Sequence, residues 1–237
     1  MTEPGTTYQL TLADPSSRAR QAFTLMTRSS PGGSSPNPFV QLDIKFPVWE
    51  RVFVIAPLVL VGTKEEDGQY DLAPKHMVTA LGHDNYFGFV CTPAHRTYHN
   101  AKRELEFSVS YVRPSQVIST SLAAMPRCDD GSKPTLREVD TFPASRVDSR
   151  LLTDGYLHLE CALEHVIDDL GENSLLIGRL VAAQAHAEAL RSPDRDDSDL
   201  VHDQPLLAYL HPGRYATISD TFAFPYSQNL DDTESPG

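Results

Sequence analysis

The chain has 237 residues, 40% hydrophobic and 8% aromatic, enough to bury one large core or two small ones. A formal net charge of −12, with Lys and Arg scattered and no basic run, argues against a nucleic-acid backbone or an anionic membrane as partner. Three widely spaced cysteines, Cys91, Cys128 and Cys161, form neither a disulfide framework nor a zinc pattern and point to a reducing, cytoplasmic setting.

Residues 1–38 concentrate Ser, Pro and Gly, most densely from Ser29 to Pro36, and read as a flexible arm with no signal-peptide pattern at its start. Residues 39–228 carry no composition shift and read as one domain, and residues 229–237 form an acidic tail. The most apolar stretch, Val52 to Gly62, is interrupted by Pro57 and is too short to span a bilayer. Leu58 to Val61 predicts a strand leading into Glu66-Asp67-Gly68, where Asp-Gly supplies the positive φ angles of a tight hairpin. The return arm is expected from Gln69 to Leu72, stopped by Pro74. Tyr86 to Cys91 predicts another strand, closed by Thr92-Pro93.

Short helices are expected over Thr97–Glu104 and Ser115–Met125, the second opened by Pro114. Phe107 to Tyr111 and Leu157 to Glu164 alternate apolar and polar residues, the period of a half-buried strand. Leu175 to about Ala182 reads as strand, although the alanines between Leu180 and Leu190 favour helix on propensity alone. Many short strands with turn punctuation favour a closed or nearly closed antiparallel barrel.

The stretch Pro57 to Thr63 followed by Asp67-Gly68-Gln69-Tyr70-Asp71-Leu72-Ala73-Pro74 resembles the opening of flavin-reductase-like proteins. In that family a Pro-apolar strand and an Asp-Gly hairpin precede Asn-x-Ala-Pro and then Ser. His95-Arg96-Thr97-Tyr98-His99-Asn100 is similar to its Lys-Asp-Thr-x-x-Asn signature. Glu106-Phe107, Leu159-Glu160-Cys161, Gly178 to Val181 and Leu210 to Tyr215 follow in the family's order, so that the resemblance spans about residues 50–220. It implies an antiparallel Greek-key split β-barrel of about six strands with a few flanking short helices. It also implies a homodimer with flavin in the groove between barrels, FMN (or FAD) as cofactor and NAD(P)H as co-substrate. A partner oxygenase receiving the reduced flavin belongs to the same picture. The departures are Asp71 for the family's Asn, His76 for its Ser, and His95-Arg96 for its Lys-Asp. Asn173 stands where many reductases carry a His associated with the nicotinamide.

Flavin reduction moves a hydride between stacked rings, so the protein supplies position and electrostatics and needs no catalytic dyad. No catalytic residue is assigned. Arg96, Thr97 and Asn100, one turn of a predicted helix start, are expected to cradle the flavin phosphate, with Cys91 and Thr92 at the preceding strand end. An ordinary cap with a solvated Arg is the bland alternative. Asp71, Leu72, Ala73, Pro74, Lys75 and His76 are expected along the ring's polar edge, where Lys75 or His76 would favour the anionic reduced form. A flavin carrier without turnover is the alternative favoured by Asn173. A metal protein using His95 and His99 at i, i+4 is the remote one, since no third ligand is suggested.

Overall fold

The computed structural model describes residues 38–224, so the predicted arm up to residue 37 and the tail from 225 onward lie outside the described residues. Chain packing separates a unit ending at Leu42 from one beginning at Asp43, and every element below belongs to the second. β1 (Val54–Pro57), β2 (Val59–Lys64), β3 (Tyr70–Lys75), β4 (Val78–Ala80) and β5 (Tyr86–Cys91) precede α1 (Arg96–Glu104). β6 (Glu106–Tyr111), α2 (Val117–Ala123), β7 (Thr141–Pro143) and β8 (Arg150–Leu152) follow. The chain then makes the long hairpin β9 (Leu157–Leu170) and β10 (Asn173–Ala185), then α3 (Asp197–Asp203), β11 (Leu206–His211) and β12 (Arg214–Ile218).

Seven strands form one sheet in the order β3-β2-β6-β9-β10-β5-β4, with β1-β11-β12 as a three-stranded sheet and β7-β8 as a ribbon. All pairings are antiparallel. The expected hairpin is present, but Gly68 alone of the Asp67-Gly68 pair has a positive φ (+84°); its N–H donates to the Glu65 carbonyl, so the turn spans Glu65–Gly68 rather than a two-residue Asp-Gly loop. β3 runs on through Pro74, against expectation. It is the outer strand of its sheet, paired only with β2, and an edge is where a strand tolerates a proline without a ladder N–H. β10 likewise runs past Ala182 to Ala185, because pairing with Leu157–Glu160 of β9 overrides the helical preference of its alanines. Pro114 opens a 3₁₀ turn, Pro114–Gln116, and α2 proper starts after it.

The main sheet curls on itself. β9 and β10 separate β6 from β5, yet Phe89 of β5 meets Phe107 of β6 edge-on at 5.0 Å between ring centroids. Gly178 of β10 makes room for this: a Cβ there would lie 2.6 Å from the Phe107 ring. Val59, Val61, Val109, Cys91, Cys161 and Leu176 complete the enclosed core. A second core, with Leu60, Leu72, Val112 and Leu152, lies beneath Ala123 of α2. Among the described residues no helix is long and apolar enough to cross a membrane.

Two groups of β9 that titrate on the acid side of neutrality, Glu160 and His158, are buried. The Glu160 carboxylate accepts the backbone N–H groups of Ser145, Arg146 and Val147 and the Ser145 hydroxyl. Burial works against its charge, and these donors more than offset it, holding the carboxyl below its ordinary value. His158, bonded through Nδ1 to the Ser110 hydroxyl at 3.0 Å, is pushed down to about 4 by burial alone. The unfolded chain takes up protons before the folded one at both sites, so each contribution fades as pH falls. His158 gives its full share above an unfolded value of about 6.5 and loses roughly 3 kcal/mol on the way down to its folded value. Glu160 follows at lower pH, below the ordinary carboxylate range. Urea titrations at intervals from pH 7 to pH 4 should show this slope, and His158→Gln should flatten it. An unchanged slope in that variant would remove His158 as its source.

Candidate functional site

α1 starts without a conventional cap. His95 precedes it in extended backbone, makes no side-chain capping bond, and leaves a first turn without an acidic residue. A helix start of this kind presents N–H groups and the positive end of the helix dipole to whatever lies in front. In front lies a groove of about 460 Å³, whose walls include Asp71, Ala73 and Lys75 of β3, Arg96 and Thr97 of α1, and Arg127 beyond α2. The helix is fixed from beneath: Asn100, buried, donates through Nδ2 to the Thr63 hydroxyl at 3.2 Å and accepts from Arg103 at 3.1 Å.

Lys75 is the anomaly of this groove. It is only 9% exposed, and among the described residues no carboxylate lies within ion-pair distance of it. The titratable groups beside it are the Cys91 thiol, His95 and His76. Burial raises the Cys91 thiol, with the lysine pulling the other way. Burial and then the lysine's charge lower His95. An ammonium kept from water without a counter-ion needs an anion from elsewhere.

The far wall is an ion network across the β2–β3 hairpin. Glu65 and Asp71 are both buried, and Arg127 bridges them, in contact with Glu65 and 3.2 Å from Asp71. Lys133 reaches Asp71 at 3.1 Å and the Leu72 carbonyl at 3.2 Å. Arg96, half exposed, approaches Glu65 at 3.5 Å. The wall therefore carries three cations against two carboxylates.

The predicted residues separate into groups. Asp71, Ala73, Pro74, Lys75, Arg96 and Thr97 line the common groove. His76 lines an adjoining cavity of about 350 Å³ that shares Pro74 and Ala124 with the groove, and its ring stacks on His211 at 5.1 Å. Burial first, then His211 and Lys75, lower the His76 pKa. Thr92 lines a separate recess with Tyr98, Asp168 and Asn173. Leu72 and Cys91 belong to the two cores, and the Asn100 amide is committed to Thr63 and Arg103. Glu65, Arg127 and Lys133 went unseen in the sequence. Arg127 and Lys133 each meet partners 62 positions away, and no local pattern reports such a pairing. Among the described residues no three His, Cys, Asp or Glu side chains gather to hold a metal ion.

A curled antiparallel sheet with a cationic groove beside its edge strand defines a split barrel. Flavoredoxin from Methanosarcina acetivorans aligns at 16% identity over 82% of this chain and 99% of its own, with a TM-score of 0.65. An FMN-binding protein from Thermus thermophilus aligns at 20% identity over 84% of this chain and 100% of its own (TM-score 0.61). Nitrilotriacetate monooxygenase component B from Mycobacterium thermoresistibile gives 18% identity over 79% and 91%, with a TM-score of 0.57. At these identities the likeness shows the fold. A search of curated proteins finds no match. The chain matches the flavin reductase like domain over residues 52–219 and belongs to that family. Membership supports a flavin-related oxidoreductase function.

Removing Arg127 would leave two carboxylates buried with one cation fewer between them. Losing one partner of a buried ion pair typically costs about 3–5 kcal/mol, so Arg127→Ala should destabilise the fold by roughly that much in urea titration. Combining it with Asp71→Asn should restore part of the loss. A cost below about 1 kcal/mol, as at exposed pairs, would show that the network is solvated rather than structural.

Proposed function

We propose that the groove holds a flavin, in the first instance FMN, and that the protein reduces it with NAD(P)H. The single observation that carries this reading is Lys75, a buried ammonium without a carboxylate beside an uncapped helix start. Both ask for an anion, and a flavin phosphate and the electron-rich edge of a reduced ring supply two. Arg96 and the start of α1 at Thr97 would hold the phosphate, with Asn100 setting the helix from below. Lys75 and the β3 backbone from Asp71 to His76 would meet the polar edge of the ring. When bound, the flavin supplies hydride and electron transfer. The chain's residues bind it, orient it and keep water from Lys75. The name of the monooxygenase component among the structural neighbours favours an oxygenase as recipient of the reduced flavin.

A second reading, a flavin carrier without nicotinamide turnover, is favoured by Asn173, which lines a recess with Tyr98 and Asp168 where many reductases carry His. Anaerobic addition of NADH and of NADPH to the flavin-loaded protein separates the two. Bleaching of the flavin band supports the reductase, and a band that only dithionite bleaches supports the carrier. Affinities test the site itself. Arg96→Ala should weaken FMN tenfold to a hundredfold and leave riboflavin nearly unchanged, as the loss of a charge-assisted bond of about 1.5–3 kcal/mol requires. Lys75→Met should weaken both ligands. Wild-type protein that binds neither flavin sinks the reading.

The reading includes a homodimer whose second barrel completes the groove. Trp49 (58% exposed) and Phe53 (62%) on the chain entering β1, and Ile55 (72%) within it, are exposed large apolar side chains of the kind that associates. Sedimentation at micromolar concentration should give a dimer, and Ile55→Asp should shift it toward monomer. A wild-type monomer with full flavin affinity would remove the second barrel from the site.

A further inference from the structure

The cavity of about 350 Å³ that adjoins the groove has a different chemistry from it. Apolar groups of Leu58, Pro74, Val117 and Ala124 supply much of its wall. Rings supply more: His76, Tyr209 of β11 and Tyr215 of β12. The His76 ring lies 4.6 Å from Tyr209 and 5.1 Å from His211, centroid to centroid. The volume is within the range of about 300–1,000 Å³ typical of small-ligand sites.

Its polar groups are almost all donors. Tyr209 accepts the Gly213 N–H at 3.0 Å, which leaves its own hydroxyl proton to give. Arg214 and Ser121, both exposed, make no side-chain hydrogen bond or ion pair among the described residues. Thr120 is already spent on the Gln116 carbonyl at 2.8 Å. Nε2 of His76 is buried without a hydrogen-bond partner, as is Nδ1 of the neighbouring His211, and buried polar atoms ordinarily have one. No Asp or Glu lines the cavity.

We propose that this cavity binds a small aromatic carboxylate, with its ring among Tyr209, Tyr215 and His76 and its carboxylate on the free donors, Arg214 foremost. The class follows by elimination. A neutral apolar molecule would leave the donors unmet, and a cation would meet Arg214 with no carboxylate to offset it. An aromatic body suits the three rings better than an aliphatic one, because ring pairs add attraction beyond the area they bury. The assignment rests on the cavity alone and not on the flavin reading above.

The full chain is titrated calorimetrically with benzoate, its uncharged analogue benzamide and the non-aromatic cyclohexanecarboxylate. Benzoate should bind about tenfold more tightly than benzamide and several-fold more tightly than cyclohexanecarboxylate. Arg214→Gln should weaken benzoate about tenfold, the lower end of a charge-assisted bond, and leave benzamide within about twofold. Ser121→Trp fills the cavity from a position on α2 that the groove does not share, and should abolish benzoate binding while FMN binding stays unchanged. Both positions are exposed and outside the two cores, so a thermal scan should show each variant melting with the wild type. If benzoate binds in this way and FMN does not bind at all, the flavin reading falls and this site stands. Displacement of benzoate by riboflavin would make the cavity part of the ring's own site and overturn the proposal. Equal affinities for benzoate and either analogue, benzoate binding unchanged in Arg214→Gln, or no binding at millimolar benzoate would overturn it as well.

Discussion

Two acidic side chains on adjoining parts of one hairpin, Glu65 after β2 and Asp71 in β3, are buried almost completely. Unpaired charges in such a place cost several kcal/mol each, so the hairpin can fold with both ionised only if cations arrive from outside it. They come from the segment after α2, as Arg127 and Lys133, and from the first residue of α1, as Arg96. This single demand brings together three parts of the chain that sequence keeps far apart. It also decides which wall of the groove is positive, because the cations exceed the carboxylates that recruit them.

The placing of α1 rests on the same hairpin by a different contact. Thr63 of β2 accepts from Asn100, and the Lys64 carbonyl, next along the strand, accepts from Arg103 at 2.6 Å. The hairpin that recruits the cationic wall through Glu65 and Asp71 thus also fixes the start of α1, whose first residue, Arg96, belongs to that wall. Tyr98 extends the hold to the β9–β10 hairpin by donating to Asp168 at 2.9 Å. A groove whose sides are all referred to β2 keeps its width without a ligand, which lowers the ordering cost of binding.

Much of the fold was legible because period-2 alternation and turn chemistry are local. The Asp67-Gly68 hairpin, β5, β6 and the first half of β9 follow from residues within a few positions of one another. The errors have local causes too. Pro74 reads as a stop only if β3 has neighbours on both sides, and the alanines of β10 read as helix only if β9 is ignored. The groove was half legible. Its β3 and α1 faces follow from the family motif, which Ala73, Pro74 and Thr97 match, while Asp71 and Arg96 stand there as departures from it. Its third face follows from pairing across 62 positions, written in the unremarkable run Arg127-Cys128-Asp129-Asp130-Gly131-Ser132-Lys133. Asn100, a motif residue read as a ligand contact, is buried, with its amide bonded to Thr63 and Arg103.

The charge balance of the whole molecule sharpens the role of the groove. A chain of net charge −12 repels an anionic nucleotide at long range, and that repulsion is screened beyond about 8–10 Å at ordinary ionic strength. Attraction must therefore come from groups close enough, and dry enough, to escape the screening. Lys75 satisfies both conditions and Arg96, half exposed, satisfies the first. In such an arrangement the field over the surface contributes little to capture, and selectivity lies with a few short contacts at the floor of the groove. A cation so buried is unfavourable without an anion beside it, so under the proposed flavin reading Lys75 would exchange some stability of the unliganded fold for affinity.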